Sequence, residues 1–126
     1  MFSHVTLGSN DIPRSKVFYD AIMAAQGAQA LPAPKPGILV YALDGQMLII
    51  TTPINGQPAT YANGGTIGLR MTSADQVDAW HRAGVINGGV TAENPPGIRH
   101  TPMGDMYLAY LRDPDGNKLC AIYNVP

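Results

Sequence analysis

The sequence predicts an α+β domain in which a module of one strand, one helix and further strands occurs twice in tandem. Three observations carry this. Short runs with a two-residue apolar period alternate with two stretches of helical period. Fourteen glycines and 11 prolines among 126 residues supply the turns that many short strands need. The order of elements also occurs twice, and the halves can be laid over each other: FSHVTLGS (2–9) on GGTIGLRM (64–71), and LDGQMLII (43–50) on PDGNKLCA (114–121). This sets His4 against Thr66 and Ile49 against Cys120. Module 1 is expected over about 1–53 and module 2 over about 64–126, within one domain spanning 1–126.

In the first module FSHVTLG alternates as a half-buried strand, with Val5 and Leu7 on one side and His4 and Thr6 on the other. A helix follows: Asn10 or Asp11 can cap it, Pro13 suits its first turn, and it ends near Gly27. Val17, Phe18, Ala21, Ile22 and Ala25 form its apolar stripe. LPAPKPG (31–37) reads as a proline-rich loop, and Asp44-Gly45 joins strands 38–43 and 46–52 in a hairpin. Residues 53–65 form the linker. In the second module GGTIGLRM is a strand, and Ser73 with Gln76 makes a capping box for a helix burying Val77, Trp80 and Gly84. Asn87-Gly88-Gly89 ends that helix, and ENPPGIRHTPMG (93–104) reads as a loop. The strand MYLAYL (106–111), the turn RDPDGN and the strand KLCAIYNV (118–125) close the module.

Composition narrows the functional classes. Eight basic and nine acidic side chains nearly cancel, which argues against a nucleic-acid partner. No apolar run approaches the roughly 20 residues of a membrane span, so no membrane partner is expected. MFSHVTLGSN lacks the charged and apolar regions of a secretion signal, and the one cysteine cannot form an internal disulfide. A cytoplasmic location is the corresponding expectation.

Strand parity groups the candidate site residues. If Val5, Leu7, Leu48, Ile50, Ile67, Leu69, Leu119 and Ala121 pack under the helices, the opposite face carries the alternate positions. These include His4, Met47, Ile49, Thr66, Arg70 and Cys120, a mostly apolar lining with a few polar groups that suits a small organic ligand. Arg70 can hold a carboxylate or phosphate bidentately, or reach solvent from its strand end. His4 can line a pocket, act in acid–base chemistry or bind a metal. Cys120 can be a nucleophile if a neighbour such as His4 lowers its pKa, or a small buried side chain. Tyr107 and Tyr110 face opposite sides, so one of them lines this face, and Tyr107 is taken as the candidate. His100 lies on a loop able to reach the pocket mouth. Glu93, Asp105, Asp113 and Asp115 fall in loops and turns, where carboxylates solvate or cap.

HVTLGSNDIPRSKVFYDA, NGGTIGLRM and YLAYLRDPDGNKL together resemble the vicinal oxygen chelate superfamily, which includes glyoxalases, bleomycin resistance proteins and extradiol dioxygenases. The resemblance implies two tandem βαβββ modules forming a cupped mixed β-sheet with helices on the outer face, and a homodimer. It also implies a divalent metal held from the first and last strands of each module. Those positions here are His4, Ile49, Thr66 and Cys120, and only His4 matches the family's usual ligands. The expectation is therefore no metal and no cofactor. Within this family the chain would be a binding protein acting by sequestration or by weak chemistry at His4. Two enzymatic alternatives remain: a metal-dependent lyase, isomerase or dioxygenase with a divalent metal at His4 and non-standard ligands such as His100, and a thiol-based activity on Cys120 and His4.

Overall fold

The computed structural model describes residues 1–126. Ten elements occur in the order β1 (His4–Gly8), α1 (Ile12–Gln26), β2 (Gln29–Leu31), β3 (Ile38–Leu43), β4 (Gln46–Thr51), β5 (Ile67–Arg70), α2 (Ala74–Ile86), β6 (Val90–Thr101), β7 (Gly104–Arg112) and β8 (Lys118–Asn124). They form two four-stranded mixed sheets, β1-β4-β3-β2 and β5-β8-β7-β6, so β1 and β5 each keep one free edge. In each module the first strand runs parallel to the last, and the remaining pairs are antiparallel.

The internal repeat is visible in the register. Thr6 pairs with Ile49 in the first sheet and Gly68 with Cys120 in the second, which is the correspondence obtained by aligning the two halves of the sequence. Parity holds as well: Leu48, Ile50, Leu119 and Ala121 are buried in one hydrophobic cluster, with Val5, Leu7, Ile67 and Leu69 packed against it. That cluster joins Phe18, Tyr19, Ile22 and Met23 of α1 to Val77 and Trp80 of α2, so both sheets and both helices share one core.

Local chemistry explains the helix limits. Asp11 caps α1 by accepting from the Arg14 amide at 3.0 Å, and Gly27 ends it at φ 92°, a left-handed value suited to glycine. Ser73 caps α2 through the Gln76 amide at 3.0 Å. The Gln76 side chain accepts from the Thr72 amide and donates to the Ala25 and Gln26 carbonyls, so it also satisfies the end of α1. Gly84 lets α2 approach closely, since a Cβ there would lie 2.3 Å from Leu111 Cδ1.

Four sequence expectations are corrected. The α1 stripe is rotated: Tyr19 and Met23 are buried, whereas Val17 is 57% exposed. A short strand, β2, lies between α1 and the proline-rich loop. The segment read as a loop over 93–104 is mostly strand, with the ladder shifting register between Ala92 and Gly97. Pro95 and Pro96 fall within that shift on an edge strand, where missing amide donors disturb no ladder. Arg99 folds back to donate to the Asn94, Pro95 and Gly97 carbonyls there.

The fourth correction concerns the DPDGN turn. Of the two roles expected for a turn carboxylate, Asp113 takes capping and not solvation: it is 3% exposed and accepts from Tyr19 Oη (2.5 Å), the Asp115 and Asn117 amides (both 2.9 Å) and Asn117 Nδ2 (2.8 Å). Asp115 accepts from the Asn10 amide, Arg14 and Ser15, and Asn117 Nδ2 also donates to the Gly8 carbonyl. The turn of module 2 therefore clamps the start of α1 in module 1.

Candidate functional site

The seam between the two sheets carries the cavity. The free edge strands β1 and β5, with the start of β4, enclose about 340 Å³ lined by Phe2, His4, Met47, Thr66, Gly68 and the underlying Val5, Leu48, Ile67 and Leu69. Gln26, from the end of α1, and Gln46, from the start of β4, border it on one side. This volume and apolar lining fall in the range of small-molecule sites. A second depression of about 520 Å³ adjoins it and shares Gln26, Gln46, Gly68 and Leu69. Arg70, Thr72 and Asp44 line that second space.

Several expected residues meet here. His4 and Met47 are register partners on parallel strands, and Thr66 joins them from the approach to β5. The His4 ring shares a hydrogen bond with Ser3 Oγ at 2.8 Å through Nδ1, which leaves Nε2 available to a ligand. Arg70 stands in the adjoining depression and is in no ion pair.

Other expected residues lie elsewhere. Ile49 sits between Thr6 and Val40 in the first sheet and lines neither space. Cys120 is 7% exposed between Gly68 and Tyr110, with its Sγ directed to the Ala121 carbonyl at 3.5 Å. Burial pushes its thiol above the ordinary value, the Glu93 carboxylate adds to this, and the Tyr110 hydroxyl and Lys118 oppose it in part. An activated cysteine needs the opposite shift. Tyr107 faces α2 and donates to Asp78 Oδ1 at 2.8 Å, while Tyr110 takes the Cys120 side. His100 belongs to the β6–β7 hairpin, where its Nδ1 meets Asp105 Oδ1 at 2.8 Å.

The residues do not fit a divalent metal. Such a site takes three or more N, O or S ligands on one centre. Of the four positions implied by the sequence resemblance, His4 and Thr66 share the cavity, Cys120 lies outside it with a protonated thiol favoured, and Ile49 has no donor atom. No group of three or more His, Cys, Asp or Glu side chains is arranged to hold a cation.

Sequence reading overlooked Gln26 and Gln46. Gln26 ends a helix and Gln46 follows a hairpin glycine, both ordinary polar positions. Only the convergence of helix end and edge strand brings them to the cavity wall. No helix is long and apolar enough to cross a membrane.

Comparison with known proteins agrees with this architecture. The family model for the Glyoxalase/Bleomycin resistance protein/Dioxygenase superfamily matches residues 1–121. A glyoxalase/bleomycin resistance protein from Albidiferax ferrireducens T118 is 51% identical, with a TM-score of 0.91 over 97% of this chain and 98% of that one. A glyoxalase-related enzyme from Fulvimarina pelagi is 21% identical, with a TM-score of 0.73 over 98% of this chain and 88% of that one. The lactoylglutathione lyase from Agrobacterium tumefaciens is 20% identical, with a TM-score of 0.66 over 97% of this chain and 92% of that one. These last two share the fold. No curated protein matches. With the family model covering nearly the whole chain, the protein belongs to the glyoxalase/bleomycin resistance protein/dioxygenase superfamily.

Proposed function

We propose that this protein binds a small organic ligand in the cavity between β1 and β5, without a divalent metal. The observation that carries the reading is a mostly apolar space of about 340 Å³ with one imidazole on its wall and no three-ligand cluster around it. Apolar walls supply affinity by removing ligand surface from water, and sparse polar groups orient the ligand. His4 is the group able to exchange a proton with a bound molecule, through the ring nitrogen that Ser3 does not engage. Sequestration is the primary role, with proton transfer at His4 as any accompanying chemistry. The chain acts in the cytoplasm as a homodimer, its exposed Phe2 and Met47 and the free edges of β1 and β5 lying beside the cavity.

Gly68 supplies a clean test, because a Cβ added there meets nothing within 4 Å. Gly68→Val would push its methyls into the cavity while leaving the fold intact. A fluorescent apolar probe such as 8-anilinonaphthalene-1-sulfonate should bind the native protein saturably and lose most of its affinity in Gly68→Val. Equal binding by both, with unchanged thermal unfolding, would show that the seam is not the site. Sedimentation analysis checks the dimer, and a monomer at tens of micromolar would refute that part.

A further inference from the structure

The repeat makes the two module junctions directly comparable, and they differ. The register equates Gly8 with Arg70, Asp44 with Asp115 and Gln46 with Asn117. At one junction Asn117 Nδ2 donates to the Gly8 carbonyl at 3.1 Å, and Asp115 gathers the Asn10 amide and the Arg14 guanidinium, both at 2.9 Å. That junction is filled. At the other, the carbonyl of Arg70 accepts from Gln26 Nε2 at 3.2 Å, neither Arg70 nor Asp44 is in an ion pair, and about 520 Å³ stays open.

The Gln26 contact has a consequence for its other end. Because Nε2 must face the Arg70 carbonyl, the orientation of the amide is fixed and Oε1 points away from it. Oε1 is buried and has no donor. Buried acceptors are almost always satisfied. Gln26 borders both the apolar cavity and the adjoining depression, so the two spaces run into each other beside the Arg70 carbonyl.

Apolar walls and a guanidinium in no ion pair thus follow one another along β5. From Thr66 to Arg70 the strand covers roughly 13 Å at about 3.3 Å per residue. Building on the binding function proposed above, we infer that the ligand is an amphiphilic carboxylate, an apolar body carrying one anionic end. Its apolar body lies beside His4 and its carboxylate pairs with Arg70. Asp44 on the rim of the same depression disfavours a second negative charge, so a monoanionic carboxylate is preferred to a dianionic phosphate.

Calorimetric titration with N-benzoylglycine and its methyl ester tests the carboxylate contact. The acid should bind at least about tenfold more tightly than the ester, as a charge-assisted pair implies. Arg70→Gln should abolish that preference by bringing the affinity of the acid down to that of the ester. Phenyl phosphate should bind less well than N-benzoylglycine. Equal affinity of acid and ester in the native protein would overturn the carboxylate assignment and leave the cavity as a neutral-ligand site. If the acid preference persisted in Arg70→Gln, the assignment to Arg70 would fall. If neither acid nor ester bound, this inference and the binding function would fall together.

Discussion

Replacing Tyr19 by Phe removes one hydroxyl from a ring that is fully buried, and so isolates the contact between helix α1 and the DPDGN turn. That hydroxyl donates to Asp113 at 2.5 Å, and a hydrogen bond to a buried carboxylate contributes about 1.5–3 kcal/mol. Asp113 keeps three other donors in the variant, so no buried charge is orphaned and the expected loss is about 2 kcal/mol. With an unfolding entropy of about 2.1 cal/mol/K per residue over 126 residues, the Tm should fall by roughly 8 °C. Calorimetry or circular dichroism reads this directly. A shift under about 2 °C would refute the clamp as a stabilising device. Asp113→Ala strands several donors at once and should cost more, and in its background Tyr19→Phe should cost little. The same residue predicts a pH effect. Burial, and then Asp113, hold the Tyr19 phenol well above its ordinary value of 10.0. The folded state thus favours the protonated phenol, so this contribution is complete below about pH 10 and is lost as pH rises beyond it. Alkaline destabilisation should be shallower in Tyr19→Phe. It should not vanish, because burial and Asp20 also raise the Tyr41 phenol.

Two further outcomes follow from packing. Gly84→Ala drives a methyl into Leu111, Ile22 and Phe18 and should cost about 1–3 kcal/mol in urea unfolding; a neutral result would mean that the helix can withdraw from the sheet freely. Cys120, buried and with a raised thiol pKa, should react with iodoacetamide at pH 7 far more slowly in the folded protein than in urea. Reaction at the free-thiol rate in the folded protein would revive a nucleophilic role for it.

The repeat, the module order, both helix caps and the buried strand faces were legible in the sequence because each rests on local periodicity or on a capping residue. The residues that fooled it did so for definable reasons. Val17 and Tyr19 are both compatible with a helix stripe, and only packing on β3 and on the DPDGN turn decides that Tyr19 turns inward. Pro95 and Pro96 look like loop chemistry until β6 is known to be an edge. Tyr107 and Tyr110 were separated correctly by parity, but the phase was set by Asp78 on α2, which claims Tyr107. The lining of the candidate cavity and its adjoining depression was half legible. His4, Met47, Thr66 and Arg70 follow from strand alternation, whereas Gln26 reaches the cavity only because α1 ends beside β5.

The central claim is a ligand cavity that works without a divalent metal, and metal content under native conditions tests it most directly. Native mass spectrometry on protein purified without chelator, after dialysis against zinc, nickel or manganese, should show no stoichiometric metal, and affinity for the organic probe should be unchanged by EDTA. One metal per chain, lost in His4→Ala together with probe binding, would contradict the account.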